Sequence, residues 1–115
     1  MKHFVGIDLG TSSVKVLLLN ENGEVVSSIT KEYPLYFPQN GWSEQNPEDW
    51  YSQTIVALKE LLSKIDTNSI LSFSFSGQMH GLVMLDEKDK TIRPAILWND
   101  SRSQHETDVL NENKD

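Results

Sequence analysis

Apolar residues near the start of the chain form two short runs on either side of a polar turn. The runs cover residues 3–9 and 13–20, and each has the length and apolar content of a buried strand. A third extended run covers residues 24–32 and follows Asn22-Gly23, a dipeptide that strongly favours a two-residue hairpin. The pattern predicts that the chain begins as an antiparallel meander of three strands.

A helical pattern follows residues 33–46, a segment whose prolines and glycine predict a loop. Asn46 is a favourable N-cap, and Pro47 suits the first helical position. The residues that recur at helical spacing, and so predict one buried face, are Trp50, Thr54, Ala57, Leu58, Leu61, Leu62 and Ile65. Trp50 is therefore predicted to belong to the core and not to a ligand site.

The second half of the chain alternates extended runs with polar breaks. Residues 70–76 alternate between apolar residues and serines, which predicts a strand whose serine face packs under a helix or borders a cleft. Residues 81–85 predict another strand, residues 91–98 a further extended stretch, and a helix is predicted to start near Ser101. This order of elements predicts an α/β fold.

The turn between the first two predicted strands has the chemistry of a phosphate site. Gly10 allows a close approach to a ligand and a dihedral angle that other residues avoid. The amides and hydroxyls of Thr11, Ser12 and Ser13 can surround a polyphosphate. Asp8 precedes the turn and can hold Mg²⁺ or its water shell. The alternative is a polar hairpin without a ligand; a Walker loop is absent from the sequence.

Length and composition narrow the class of protein. The 115 residues suffice for one domain at most. A net charge of −7 argues against nucleic acid or an anionic membrane as a partner. The lack of cysteine excludes disulfides and thiolate chemistry within these residues. Because no signal peptide or spanning apolar run occurs, we expect a cytoplasmic protein. Residues 111–115 are polar and end without a cap, which suggests an incomplete chain.

Four segments of the chain resemble the FGGY carbohydrate kinases, and in particular the N-terminal part of xylulokinases. They are GIDLGTSSVK at 6–15, GWSEQNPEDW at 41–50, SGQMHG at 76–81 and PAILWNDSR at 94–102. The first segment is shared with other sugar kinases and is similar to the turn of Hsp70-type chaperones, whereas SGQMHG is the most specific. The order of predicted elements and the resemblance both indicate a ribonuclease H-like (actin-like ATPase) fold. Residues 1–115 would form the N-terminal part of its first domain.

The resemblance assigns ATP and Mg²⁺ as cofactors and gives individual residues their expected roles. The turn at residues 10–13 would face the ATP phosphates, and Asp8 would bind the metal through water. Met79 and His80 would contact a ketopentose, and Gln78 would help to shape the same pocket. A polar cluster after a predicted strand supplies further substrate-contact candidates: Trp98, Asn99, Asp100 and Arg102.

Two points about these residues stay open at the level of sequence. Asp100 and Arg102 can instead pair with each other and hold their loop. His3 and His105 match no motif of the family.

The implied reaction is the ATP-dependent phosphorylation of D-xylulose to D-xylulose 5-phosphate. Family members have a second domain, and their catalytic aspartate would lie beyond Asp115, so the chain alone is expected to be inactive. Whether the intact enzyme is a homodimer is left open. Another FGGY sugar kinase is one alternative. A noncatalytic actin- or Hsp70-like nucleotide-binding domain is the other, and such a domain has no use for Met-His between two glycines.

Overall fold

A four-stranded sheet and one long helix form the centre of the protein, in a computed structural model that describes residues 1–113. The elements in chain order are β1 (His3–Leu9), β2 (Ser13–Asn20), β3 (Val25–Glu32), β4 (Glu44–Gln45), α1 (Pro47–Leu62), a short 3-10 helix (Thr67–Ser69), β5 (Ile70–Gly77), β6 (Ala95–Ile96) and α2 (Gln104–Glu112). The order in the main sheet is β3-β2-β1-β5. β5 runs parallel to β1, and the other pairs are antiparallel. The predicted α/β class is confirmed.

The predicted meander is confirmed, with β3 starting one residue later than expected. Gly23 adopts a φ of 80° in the turn before β3, and its amide donates to the carbonyl of Asn20. The Asn20 side chain accepts hydrogen bonds from the backbone amides of Asn22 and Glu24, and these bonds close the turn. The register places Asp8 opposite Lys15, so that Asp8 stands one residue pair before the turn that joins β1 and β2.

The core lies between the sheet and α1. Its buried residues are Val5, Ile7, Val14, Val16, Leu18, Tyr33, Ala57 and Leu61. Trp50 packs against this cluster together with Leu58, Leu62 and Ile65, so the predicted apolar face of α1 is confirmed. Each fully buried valine or leucine contributes roughly 1.5–3 kcal/mol. The Asn46 side chain accepts from the amide of Glu48 at 3.1 Å, as expected for an N-cap.

Three expectations for the second half of the chain are corrected. Residues 81–85 form no strand, because only two isolated bridges hold them, Leu82 to Ile96 and Leu85 to Thr91. The predicted extended stretch at residues 91–98 is reduced to β6, which pairs with β4 inside the expected loop. α2 begins at Gln104 and not near Ser101, because residues 100–102 are held by contacts with another segment.

β5 leaves both of its faces largely uncovered by residues 1–113. Phe73 and Phe75 are 49% and 68% exposed, and they border an apolar cavity beside Trp50 and Tyr51 of α1. Ser76, on the opposite face, donates to a carboxylate oxygen of Asp8 at 3.2 Å. Ser72, Ser74 and Ser76 are exposed, so the serine face does not pack under a helix within residues 1–113, and the expectation that it borders a cleft stays a prediction. α2 ends at Glu112, and the structure describes the chain as far as Asn113. The prediction for residues 111–115 therefore falls partly outside the described residues.

Candidate functional site

The turn at residues 10–13 is held by hydrogen bonds to all four of its carbonyls. The Gly10 amide donates to the Ser13 carbonyl at 2.9 Å, and the Tyr33 amide donates to the Ser12 carbonyl at 3.2 Å. The Tyr33 hydroxyl donates to the carbonyls of Gly10 and Ser13. The Gln45 side-chain amide donates to the Thr11 carbonyl. Tyr33 and Gln45 thus hold the turn in one conformation.

This arrangement leaves hydrogen-bond donors of the turn available to a ligand. Among residues 1–113, neither the Thr11 amide nor the Ser12 amide has an acceptor. Ser12 is exposed, and Thr11 is half-buried. Successive amides with neighbouring hydroxyls form a concave anion site, so the turn has the donors that a phosphate group requires.

Glycine is needed at position 10 because of a close contact, and not because of an unusual dihedral angle. Its φ is not in the left-handed region, so the expected unusual dihedral angle is wrong. A Cβ at this position would lie 3.0 Å from the Ser13 carbonyl oxygen, which is closer than such contacts normally permit. Glycine therefore allows the turn to close on itself, and a larger residue would open it.

Asp8 lies exposed at the carboxyl end of β1, where it contacts Ser76. Burial, and to a smaller extent the negative charge of Asp8, raises the pKa of Tyr33 to about 12. Tyr33 therefore keeps its proton at physiological pH and remains a donor to the turn. One exposed carboxylate beside a donor-rich turn fits Mg²⁺, which keeps several waters and binds few protein ligands. Within residues 1–113, no cluster of three or more acidic or histidine side chains could hold a metal ion.

The SGQMHG segment begins in the last two residues of β5, Ser76 and Gly77, and lies against the end of β1. The Gln78 amide donates to the Leu9 carbonyl at 3.0 Å, one residue before the turn. Gln78, Met79 and His80 line a cavity of about 210 Å³ whose other walls include Tyr33 and Trp50. The structure therefore brings Gln78, Met79 and His80, the expected sugar-contacting residues of this segment, to one cavity. This cavity lies beside residues 10–13, which are called the phosphate turn below after their expected role.

His80 is the residue with unusual backbone geometry in this segment. Its φ is 60°, whereas neither flanking glycine has a positive φ. A non-glycine residue in the left-handed region is uncommon, although histidine adopts it more readily than most. Such local strain is concentrated at ligand sites, and here it presents the exposed imidazole of His80 at the cavity.

The expected cluster at residues 98–102 is divided between two places. The Trp98 indole donates to the Thr11 hydroxyl at 3.4 Å, so Trp98 belongs beside the phosphate turn. Asn99 instead lines a separate, open concavity with Trp42 and Gly41. Asp100 and Arg102 lie away from the 210 Å³ cavity, whose walls they do not form.

Asp100 and Arg102 form an ion pair, which is the loop-holding arrangement. The Asp100 side chain is 2% exposed, and its oxygens accept from the Arg102 guanidinium and from the amides of Ser43 and Arg102. Arg102 also pairs with Glu44 at 2.7 Å and stacks over Trp42. Hydrogen bonds from Arg102 lower the pKa of Asp100 to about 2. Both side chains are thus occupied in joining two segments.

Tyr33 and Gln45 are the site residues that sequence reasoning did not identify. Both lie in residues 33–46, the segment predicted to be a loop. A signal was present for Gln45, because it stands inside the GWSEQNPEDW segment. Its burial, however, depends on the pairing of β4 with β6, which the pattern did not show.

Family membership follows from a family model that matches nearly the whole chain. The FGGY family of carbohydrate kinases, N-terminal domain, matches residues 3–115. The chain belongs to this family. With the sheet order and the turn described above, its fold is the actin-like ATPase-type fold of sugar kinases.

Individual relatives are sugar kinases of greater length. A xylulose kinase of Bacillus subtilis (strain 168) is 54% identical over 105 residues, which are 90% of this chain and 21% of that protein. A gluconokinase of the same organism is 39% identical over 102 residues, covering 89% of this chain and 20% of that protein. The crystal structure of a ligand-bound xylulose kinase from Lactobacillus acidophilus superposes with a TM-score of 0.90 at 32% identity, covering 97% and 23% of the two chains. The chain therefore spans about a fifth of the length of its relatives.

No helix among residues 1–113 is both long and apolar enough to cross a membrane.

Proposed function

We propose that this chain forms the N-terminal part of a longer, ATP-dependent sugar kinase that phosphorylates D-xylulose on its 5-hydroxyl. The observation that carries the proposal is the contact between the phosphate turn and the SGQMHG segment. The Gln78 amide is bonded to the residue before the turn, and the cavity lined by Met79 and His80 adjoins it. A phosphoryl donor on the turn and a sugar in the cavity would therefore be neighbours.

The residues of this chain would contribute positioning and charge stabilisation to phosphoryl transfer. The amides of Thr11 and Ser12, with the hydroxyls of the turn, would stabilise charge on the phosphate oxygens. Asp8 would hold Mg²⁺ through water, and the bound metal would neutralise further phosphate charge. His80 would bond sugar hydroxyls, and Met79 would pack on the carbon skeleton.

The general base and the second domain are proposed to lie beyond Asp115 in a protein of the relatives' length. The support is the coverage of the relatives, of which this chain matches 21% in the Bacillus subtilis xylulose kinase. A cytoplasmic location and a homodimeric assembly stay predictions. Sequencing the gene past the codon for Asp115 is the direct check of the longer chain.

Gluconate is the second candidate substrate, because a gluconokinase is 39% identical to this chain. Membership of a kinase family favours a kinase, with either of the two substrates, over the alternative of a noncatalytic nucleotide-binding domain. The cavity itself is compatible with either ligand, since its polar side chains, Gln78 and His80, would bond hydroxyls that both ligands carry.

Calorimetric titration of the full-length protein with D-xylulose and with gluconate tests the substrate. For His80→Ala, we expect the dissociation constant for xylulose to rise roughly two- to tenfold, because one hydrogen bond to a sugar hydroxyl is lost. Binding of a nonhydrolysable ATP analogue should be unchanged. The matched control is His105→Ala, which removes an exposed histidine of α2 and should change neither affinity.

Two outcomes would contradict the assignment. Gluconate binding without xylulose binding would move the protein to the second candidate. Weaker nucleotide binding by His80→Ala with unchanged xylulose affinity would remove His80 from the sugar site.

A further inference from the structure

Gln45 is a polar residue at the centre of the molecule. Its exposed fraction is 0%, and it lies in β4 opposite Ala95 of β6. A buried side-chain amide is costly unless its groups are hydrogen-bonded. Gln45 meets this requirement: its nitrogen donates to the Thr11 carbonyl, and its oxygen accepts from Trp50 at 3.0 Å and from Gln78 at 3.1 Å.

The chemistry of the partners fixes the direction of these hydrogen bonds. The indole of Trp50 can only donate, and the carbonyl of Thr11 can only accept. Gln45 must therefore present its oxygen to Trp50 and its nitrogen to Thr11. Gln78 must in turn offer its side-chain nitrogen to Gln45, which leaves the Gln78 side-chain oxygen as an acceptor.

The outer end of this network lies at the cavity of about 210 Å³ lined by Met79 and His80, the proposed sugar site, which is called the sugar cavity below. Gln78 is half-buried and lines the cavity beside His80. Its side-chain oxygen is buried and has no hydrogen-bond partner among residues 1–113. The bond to Gln45 is the side-chain hydrogen bond that orients Gln78 within the described chain. A sugar hydroxyl that donates to the free oxygen would complete the network.

The inner end of the network lies at the phosphate turn. The Gln45 bond holds the Thr11 carbonyl, and the amides of Thr11 and Ser12 are the donors left for phosphate. A change in the orientation of Gln78 would be transmitted through Gln45 to this carbonyl. Hydrogen bonds in such a chain also polarise one another in a low-dielectric interior.

We propose that Gln45 is a positioning residue that couples the sugar cavity to the phosphate turn, an inference that rests on the proposed function. Occupation of the cavity would orient Gln78 and thereby favour the conformation of the turn that binds phosphate. Thermodynamic reciprocity requires that nucleotide on the turn strengthens sugar binding by the same factor.

The test measures this factor in the full-length protein. The dissociation constant for D-xylulose is determined by calorimetry without nucleotide and with a saturating nonhydrolysable ATP analogue. We expect the wild-type protein to bind xylulose at least about fivefold more tightly with the analogue, which is the lower range of typical coupling. In Gln45→Met, which keeps the length of the side chain but removes all three hydrogen bonds, the ratio should fall below about twofold.

Two further variants separate coupling from folding. Gln78→Met removes the link while leaving the bonds of Gln45 to Thr11 and Trp50, and it should also lower the ratio. It decides the question if Gln45→Met does not fold. Gln104→Met is the matched control, because the Gln104 side-chain amide donates only to Asp108 on the surface of α2 within the described residues, and the ratio should stay at the wild-type value.

The outcomes distinguish this inference from the proposed function. A wild-type ratio near one would overturn the coupling, as would a ratio preserved in Gln45→Met or in Gln78→Met despite weaker individual affinities. Failure of the wild-type protein to bind xylulose would instead contradict the proposed substrate. The same pair of titrations with gluconate would then test the coupling.

Discussion

Asp8 and Tyr33 both lie beside the phosphate turn, but in different environments. Tyr33 is buried, and its raised pKa of about 12 keeps the hydroxyl protonated as a donor to the carbonyls of Gly10 and Ser13. Asp8 is exposed and is held by Ser76, so its carboxylate can face a hydrated cation. The buried residue shapes the turn, and the exposed one supplies charge.

Replacing Asp8 should separate catalysis from sugar binding in the full-length protein. We expect Asp8→Ala to lower kcat by about two orders of magnitude, because stabilisation of charge in the transition state is lost. Xylulose affinity should change by less than about twofold, since Asp8 does not line the sugar cavity. Steady-state kinetics and xylulose titration provide the two readings, with Asp108→Ala of α2 as the control. Wild-type turnover by Asp8→Ala would remove Asp8 from the site.

Sequence reasoning identified the residues whose role depends on their neighbours in the chain. Asp8 and residues 10–13 could be selected as candidates because they lie in one segment that carries its own chemistry, and their ligand roles stay predictions. Gln45 was missed because its three partners lie at positions 11, 50 and 78 and meet only after the sheets form. For Asp100 and Arg102, the motif left two alternatives, and the ion pair became evident only from the contact of the two side chains in the structure.

Two segments, residues 41–45 and 97–102, brace each other and hold β4 in place. The Leu97 amide donates to the Ser43 carbonyl at 3.0 Å, and the Ser101 amide donates to the Gly41 carbonyl at 2.8 Å. Gly41 has a φ of 80°, and a Cβ there would lie 2.5 Å from the Ser101 hydroxyl. The Asp100–Arg102 ion pair adds a charged contact to the same junction. Because Gln45 belongs to β4, this junction also supports the inner end of the site.

The Asp100 carboxylate should make the stability of this junction depend on pH. Its pKa is lowered from 3.8 to about 2 in the folded protein, and the largest cause is hydrogen bonding from the Arg102 side chain. A group with a depressed pKa stabilises the fold fully above its unfolded pKa, and the contribution is lost as the pH falls to its folded pKa. We therefore expect Asp100→Asn to be less stable than wild type above about pH 4, with the difference shrinking towards pH 2.

Urea denaturation of the full-length protein between these pH values measures the free energy of unfolding. Asp108→Asn serves as the control, because the exposed Asp108 of α2 should give a small difference that changes little with pH. A constant difference between Asp100→Asn and wild type over the whole range would show that ionisation of Asp100 does not stabilise the junction.

Elements with a strong local pattern were predicted, and elements that depend on distant pairing were not. The meander and α1 carry regular apolar spacing and clear turn or capping signals, and both are confirmed. β4 consists of Glu44 and Gln45, which have no apolar pattern, and it exists because β6 supplies its partner. Residues 81–85 are apolar enough for a strand, but only isolated bridges pair them within the described chain.

The molecule as a whole brings the two candidate ligand sites together at the carboxyl ends of β1 and β5. These parallel strands end at Leu9 and Gly77; the phosphate turn follows Leu9, and the Gln78-Met79-His80 part of the SGQMHG segment follows Gly77. A Cβ at Gly77 would lie 3.3 Å from atoms of Leu9, so glycine permits the close packing of the two strand ends. Ligand sites at the carboxyl ends of parallel strands are a general property of open α/β sheets. The sheet topology thus explains why two motifs that lie far apart in sequence form one site.

The 115-residue chain alone should have no measurable xylulose kinase activity. It spans 21% of a xylulose kinase relative, and the proposed base and second domain lie beyond it. Losses of positioning and of general-base catalysis each lower rates by orders of magnitude, so binding residues alone do not sustain turnover.

The measurement is xylulose-dependent ADP production by the purified chain, with the full-length protein as the positive control. Because Phe73 and Phe75 are 49% and 68% exposed, size-exclusion chromatography and circular dichroism must first show a folded monomer. Turnover by that monomer at a rate near that of the full-length protein would place the whole catalytic apparatus within these residues.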